Sequence, residues 1–324
     1  MKRRDLLKGA AGATMTGLSG MAFGQSGLMG NASSIKYVVP FAPGGLTDVM
    51  ARLVAQKLNA MLGISVIVEN KSGAHAQLGA DFVAKAAGDG TTILAINQAH
   101  AVNVSLFPHA PFSLSKDLRT VALLADSPMA IVVPSTSSIK TFRDLMAVSK
   151  TKPLNASSAG SGSGPHLALE LFNDLNGSSI THVPYRGGAP SLTDLISGVV
   201  DVSFANYPQA LPHIKSGRLR FLANCSEKRH PDFPDVPTAR ESGMPKLVME
   251  NWTGIMVPTS TPNDIVDKYS KALIKIVSAP DMAAALQDRG FIVNAKGHKE
   301  FDAFLKSEIE RWAAVVKKAD IKAS

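Results

Sequence analysis

The chain has 324 residues, 34 Lys and Arg against 26 Asp and Glu for a formal net charge of +8, and a single cysteine. That length accommodates two ordinary domains, and the basic excess is scattered, with no basic stripe interleaved with aromatics, which argues against nucleic acid as a partner. Cys225 alone cannot close an internal disulfide, and beyond the N-terminal segment no stretch reaches the roughly 18 apolar residues of a membrane span.

The first residues read as a processing segment. A basic start (Lys2, Arg3, Arg4, Lys8), an apolar and small-residue middle and Ala22-Phe23-Gly24 together make residues 1–24 an export signal. The run Lys2 to Lys8 fits the twin-arginine type, and an ordinary secretory signal that happens to carry Arg-Arg accounts for it equally well. The mature chain is expected in the periplasm. Removing residues 1–24 takes away four Lys/Arg and one Asp, which leaves a mild positive field suited to an anionic solute.

Strand-like runs then alternate with helix-period segments, the signal for α/β layering around mostly parallel sheets. Ile35 to Val39 is the first strand; Val49 to Leu62 is an amphipathic helix ended by Gly63. Ile64 to Glu69, a helix over Ala76 to Ala87, and a strand over Thr91 to Ile96 complete a βαβαβ opening. Val121 to Leu124 and Met129 to Val133 are two further strands, followed by a helix over Thr141 to Lys150. A second set (strands at Leu154 to Ser157, Thr181 to Pro184, Val202 to Ala205 and Arg220 to Ala223; helices at Pro165 to Leu175 and Ala189 to Ser197) repeats this grammar. Trp252 to Val257 reads as a returning strand. Two amphipathic helices, Pro262 to Ser278 and His298 to Lys318, close the chain and need the first lobe to lie on. The organisation expected is two lobes, 25–131 with 253–324 and 132–252, joined by two crossings around a hinged cleft.

Two phrases 144 residues apart mark this duplication: Val39-Pro40-Phe41-Ala42-Pro43-Gly44-Gly45-Leu46-Thr47-Asp48, and Val183-Pro184-Tyr185-Arg186-Gly187-Gly188-Ala189-Pro190-Ser191-Leu192-Thr193-Asp194. Each follows a strand and opens a helix, so each turns free N–H groups of a helix start outward, an anion cradle. In the first, Gly44 and Gly45 let backbone approach a carboxylate, and Thr47 supplies a hydroxyl and a cap for a helix starting at Asp48 or Val49. Asp48 would repel an anion unless it points away or pairs with Arg52, one turn on. Between the phrases, Ser157, Ser158, Ser161 and Ser163 alternate with Gly160, Gly162 and Gly164 ahead of Pro165; this is a polar nest or a plain flexible linker. Arg186 is the charged residue placed to meet a carboxylate, or a solvated loop arginine. Asn206 and Tyr207, at a strand exit, offer side-chain hydrogen bonds and an apolar wall. His75 occupies the loop after the second strand, as a ligand contact or as an exposed or capping histidine.

Catalytic readings fail for want of partners. Ser137-Ser138-Ile139-Lys140 has Ser-x-x-Lys spacing without Ser-Asp-Asn or Lys-Thr-Gly, no Gly-x-Ser-x-Gly elbow stands between strand and helix, and the eight histidines show no metal-ligand spacing. No cofactor and no metal are expected, and no enzymatic activity. A hydrolase using Ser161 or Ser163 ranks last.

At these residues a resemblance becomes specific. Pro40 to Asp48 with Arg52, Asn70-Lys71-Ser72-Gly73-Ala74 with Gly79-Ala80, Asp89-Gly90 before a strand, and Val183 to Gly188 with Asp194 together resemble the Bug family, extracytoplasmic solute receptors of tripartite tricarboxylate transporters. The likeness spans the mature chain. It implies a two-lobed periplasmic binding fold, type II-like, that closes on an organic acid and delivers it to membrane permease subunits. Carried over residue by residue, Phe41, Gly44, Gly45, Thr47 and Asp48 would be first-lobe contacts, and Ser161, Ser163, His166 and Asn206 second-lobe contacts. Where the family continues with glycines after Asn-x-x-Gly-Ala, this chain has His75, Ala76 and Gln77; the usual Pro before Asp-Gly is Gly88, and the following aromatic is Thr92. The expected ligand is a di-, tri- or aromatic carboxylate. A ligand-loaded partner of a membrane sensor kinase is the alternative role.

Overall fold

A computed structural model describes residues 33–318; the expected export signal lies outside the described residues. The first segment runs β1 (Ser34–Val39), α1 (Leu46–Leu62), β2 (Ser65–Asn70), α2 (Gln77–Ala84), β3 (Thr92–Asn97) and α3 (Gln98–Leu106), ending in the long β4 (Leu118–Pro134). The middle holds α4 (Phe142–Val148), β5 (Asn155–Ser158), α5 (Gly164–Asn176), β6 (Thr181–Pro184), α6 (Gly188–Ile196), β7 (Val202–Asn206), α7 (Tyr207–Lys215) and β8 (Leu219–Asn224). The chain returns through β9 (Glu250–Pro258), α8 (Asn263–Ser278), α9 (Pro280–Gln287), β10 (Ile292–Gly297) and α10 (His298–Lys318).

One strand organises everything. The two strands expected around 121–124 and 129–133 form a single 17-residue β4, because the polar interval between them is where the strand changes partners. Up to Pro128 it pairs with β9 and β10; from Met129 onward it pairs with β7 and β8. One half-sheet is therefore β2-β1-β3-β9-β4-β10 and the other β8-β4-β7-β5-β6. The parallel pairing read from the alternating pattern holds for β2-β1-β3 and for β6-β5-β7. Every pairing made by β4 or β9 is antiparallel, so each half is mixed rather than mostly parallel. The physical reason is that the strands joining the halves run against those that each half winds locally.

The core follows the same strand. One apolar cluster contains Leu123, Met129, Ile131 and Val133 of β4, with Trp252 and Phe301 on one side and Phe142, Phe172 and Phe204 on the other. Each such large side chain buried contributes about 1.5–3 kcal/mol. Helices α8 and α10 lie on the first half: Val266, Leu273 and Ile276 join Ile35 and Ile93 in a second cluster, and Phe301 meets Trp252 edge-on at 5.7 Å. Glu308 accepts from both indoles, Trp252 Nε1 at 2.8 Å and Trp312 Nε1 at 2.9 Å, so neither donor is orphaned. Cys225 is a buried core residue whose thiol burial pushes well up.

Helices α3, α7 and α9 and strand β10 are absent from the sequence reading. α3 has almost no apolar stripe and follows β3 without a loop, held by a capping box in which Asn97 accepts from Ala99 N at 3.0 Å and His100 Nδ1 accepts from Asn97 N at 3.2 Å. α7 begins Tyr207-Pro208 and carries Pro212 inside, punctuation that reads as a break although proline is tolerated in a first helical turn.

Candidate functional site

The loops singled out in the sequence follow the C-terminal ends of β1, β5, β6 and β7, where the helices α1, α5, α6 and α7 begin. α1 starts at Leu46, earlier than expected. Gly45 takes the N-cap position with extended backbone and no side-chain cap, so Thr47 does not cap the helix but sits in its first turn. Its buried hydroxyl accepts from Asn97 Nδ2 at 3.1 Å, which ties the start of α1 to the start of α3. Gly44 is left-handed (φ +78), a conformation that favours glycine, and its N–H donates to Asp48 Oδ2 at 2.9 Å.

Asp48 pairs with Arg52 through two hydrogen bonds, 2.9 and 3.0 Å, and accepts from Asn70 Nδ2 at 2.8 Å. Asn70 also donates to the Phe41 carbonyl at 3.0 Å. Burial pushes the Asp48 carboxyl up, but the Arg52, Gly44 and Asn70 hydrogen bonds together hold it below the usual carboxylate range. Of the two outcomes open for Asp48, the structure shows the ion pair: the carboxylate braces the loop from behind. Phe41 is half-buried and meets His100 edge-on at 5.7 Å.

The glycine-serine stretch is an ordered turn. Gly160 (φ +121) and Gly162 (φ +74) take the positive backbone angles, and Ser163 caps α5, its hydroxyl donating to the Gly160 carbonyl at 2.6 Å. Ser161 lies between the two left-handed glycines. His166 Nδ1 accepts from Gly162 N at 3.0 Å while Nε2 faces Glu170 at 3.5 Å, so both ring nitrogens are engaged within this half. Its ring stacks on His182 at 3.8 Å, and His182 Nε2 lies 2.6 Å from Ser158 Oγ. Burial, then the neighbouring His166, takes His182 down to about 4.

At the third loop Tyr185 donates to Asp194 at 2.7 Å, Gly187 (φ +118) precedes α6, and Arg186 is exposed with no ion pair among the described residues. Asn206 is buried; its Nδ2 donates to Gln209 Oε1 and its Oδ1 accepts from Asn251 Nδ2, both at 3.1 Å. Tyr207 corrects the expectation of an apolar wall: it is fully buried among Phe221, His230 and Phe233, because α7 turns its first residue into the core of the second half. His75 sits in a left-handed segment, its ring against Phe107 at 5.0 Å and its carbonyl accepting from Asn103 Nδ2.

The halves meet through α3. A Cβ on Gly164 would lie 2.9 Å from Gln98 Oε1 and 3.2 Å from Asn251 Nδ2, and one on Gly162 would lie 2.9 Å from Leu106 Cδ1. The glycines therefore permit close approach between the halves as well as the turn itself. A polar line results: Thr47, Asn97, then Gln98 and Asn251 against the start of α5, then Asn206 and Gln209. Gln98 is fully buried and neither of its amide atoms has a partner among the described residues. Sequence reasoning quoted Asn70 in the family resemblance without giving it a site role, and missed Asn97, Gln98, Gln209 and Asn251. The one available signal was an amide residue directly at a strand end, which Asn70, Asn97 and Asn206 share.

The model of the tripartite tricarboxylate transporter family receptor matches residues 50–321. The chain belongs to this receptor family. It is similar to the Rpa4515 protein of R. palustris solved with adipate (30% identity, 89% of this chain and 98% of that one, TM-score 0.86). It is likewise similar to the periplasmic binding protein BugD (30%, 90% and 99%, TM-score 0.83). MatC of Rhodopseudomonas palustris with bound malate follows (32%, 87% and 98%, TM-score 0.80). The α/β architecture with β4 common to both halves is thus the fold of the TctC and Bug periplasmic binding proteins, as the sequence resemblance implied. No helix among the described residues is long and apolar enough to cross a membrane.

Proposed function

We propose that this receptor works in the periplasm as a non-enzymatic solute-binding protein, which captures a small organic carboxylate between its two halves and delivers it to the membrane subunits of a tripartite tricarboxylate-type transporter. One observation carries the reading: the starts of α1 and α5 are drawn toward a common polar line by the Thr47–Asn97 hydrogen bond and the Gln98, Asn251 and Asn206 amides. Helix starts present N–H groups and the positive end of a dipole, which is what a carboxylate needs from a neutral site. With Asp48 neutralised by Arg52, no uncompensated carboxylate stands at the first loop.

Gly45 and Ser161 supply the backbone and hydroxyl donors, Gly44 and Ser163, whose N–H and hydroxyl are held by Asp48 and the Gly160 carbonyl, fix the shape of their loops, and exposed Arg186 supplies a cation at the rim. Phe41 and Thr47 shape the first loop; His166 and Asp48 hold their loops in place. The halves pivot where β4 changes partners, and in the closed form Gly162 and Gly164 lie against α3 as they do in this structure. The adipate and malate complexes of the relatives support a carboxylate as the class of ligand.

Calorimetry of the mature protein against di-, tri- and aromatic carboxylates tests the reading. Saturable binding of at least one acid with a compaction in solution scattering is expected. Binding of a sugar or a metal ion alone would reject it. Delivery is tested separately, by acid-dependent association with the membrane subunits in detergent; association with a sensor kinase instead would overturn the transport role.

A further inference from the structure

A cavity beside α3 is lined by none of the three loops. It measures about 360 Å³, whereas a cavity of roughly 150 Å³ already holds benzene, so there is room for a ring with a substituent. Ala76 and Gln77 form one wall, Val104 and Phe107 of the α3 end another, and Phe112 a third. His100 stands between this space and the first loop, lining the cavity while meeting Phe41 edge-on.

Three features give the cavity the marks of a built site. The wall at Ala76 is made by three successive non-glycine residues in the left-handed region, Ala74, His75 and Ala76 at φ 46, 54 and 73. That conformation costs roughly 1–2 kcal/mol per residue, and strain of this kind is kept where surrounding structure holds it for a purpose. Here it is held by the His75 ring against Phe107 and by Asn103 Nδ2 donating to the His75 carbonyl at 2.6 Å. Second, His100 is buried and its Nε2 has no partner among the described residues. Its Nδ1 lies 3.2 Å from both the Asn97 N–H and the Asn97 carbonyl; in the capping-box arrangement the N–H donates to Nδ1, which puts the proton on Nε2 and leaves it an orphaned donor. Third, burial keeps His100 neutral, down to about 4, and the one other ionisable side chain of the lining is Asp117. A guest there meets no cation and one carboxylate, which disfavours an anion.

We propose that this cavity is a second ligand site, which takes a compact uncharged molecule with a ring-sized apolar body and a hydrogen-bond acceptor for His100 Nε2. It is chemically the opposite of the carboxylate cradle, and it stands or falls independently of it.

The probe is 4-fluorobenzamide, titrated into the mature protein and followed by fluorine NMR. Saturable binding is expected, at least tenfold weaker for 4-fluorobenzoate, which adds a charge, and for fluorobenzene, which lacks the acceptor. Val104→Trp, at a position 40% exposed, fills the cavity from the surface; it should abolish probe binding while the melting temperature and carboxylate binding stay as in the parent. If 4-fluorobenzamide fails to saturate, if the benzoate binds as well, or if Val104→Trp binds the probe unchanged, the second site is refuted.

Discussion

Gly164→Ala separates closure from folding. The residue is the first of α5 and does not need a positive backbone angle, so alanine fits the helix itself. Its new methyl, however, falls 2.9 Å from Gln98 Oε1 and 3.2 Å from Asn251 Nδ2, both contributed by the other half and both buried. Displacing them costs about 1–3 kcal/mol, the usual range for overpacking a filled site, and on the proposed closing motion that cost falls on the arrangement seen here, with the halves together, and is relieved when they part. Since each 1.4 kcal/mol is a factor of ten, carboxylate affinity should fall roughly 5- to 150-fold. Global stability moves little or rises, because alanine narrows the unfolded ensemble by about 0.4–1 kcal/mol. Calorimetry with the best acid of the panel, paired with urea unfolding of the free protein, reads the two quantities. Unchanged affinity would show that α3 and α5 do not meet in the bound form. An affinity loss matched by an equal loss of unfolding free energy would show the contact to be ordinary packing rather than closure.

Four further expectations rest on single contacts. Asp48→Asn removes the charge that receives Arg52 and the Gly44 amide, and should cost about 1.5–3 kcal/mol at pH 7. Because the Asp48 carboxyl is held low in the fold, its contribution is present above the unfolded value and lost as pH falls through the folded one, so parent and variant curves should converge in acid. Asp126 runs the other way: burial pushes it up to about 6, Glu250 and Glu308 adding and Asn294 opposing. The fold then loses stability as pH rises from 4 to 6, and Asp126→Asn should gain up to about 3 kcal/mol at pH 7.5 and nothing at pH 4, measured by urea unfolding. His182, lowered to about 4, binds its proton later in the folded than in the unfolded chain, so stability drops as pH falls from 6.5 to 4. In an Asp126→Asn background, His182→Asn should remove roughly one proton from that slope, and an unchanged slope would place the titration elsewhere. Arg186→Ala should weaken carboxylate binding about tenfold and flatten its salt dependence without moving the melting temperature; equal affinity would free Arg186 of any ligand role.

What the sequence reveals and what it hides divide along one physical line. Periodicity reports how a segment buries its own apolar face, so α1, α5, α8 and α10 were visible within a few residues, and the doubled Gly-Gly phrase was visible because local backbone needs glycine at Gly44 and Gly187. Periodicity says nothing of partners far along the chain. The interval Ala125 to Pro128 looks like a break in isolation, yet Asp126 faces Trp252 and Pro128 faces Glu250 in a continuous ladder. The same blindness hid Gln98 and Asn251, 153 residues apart, whose meaning exists only against Gly164 of the other half. It also misjudged Tyr207, whose position after a strand suggested an open wall, although the helix that begins there turns it into the core. A site assembled from helix starts has therefore two layers: glycines and caps that the local chain dictates, and amides at strand ends whose neighbours are chosen by topology. The first layer gives the class of ligand that backbone can hold. Selectivity among acids belongs to the second, and on that reasoning Gln98, Asn206 and Asn251 are the side chains whose exchange should change which acid is preferred before it changes whether an acid is bound at all.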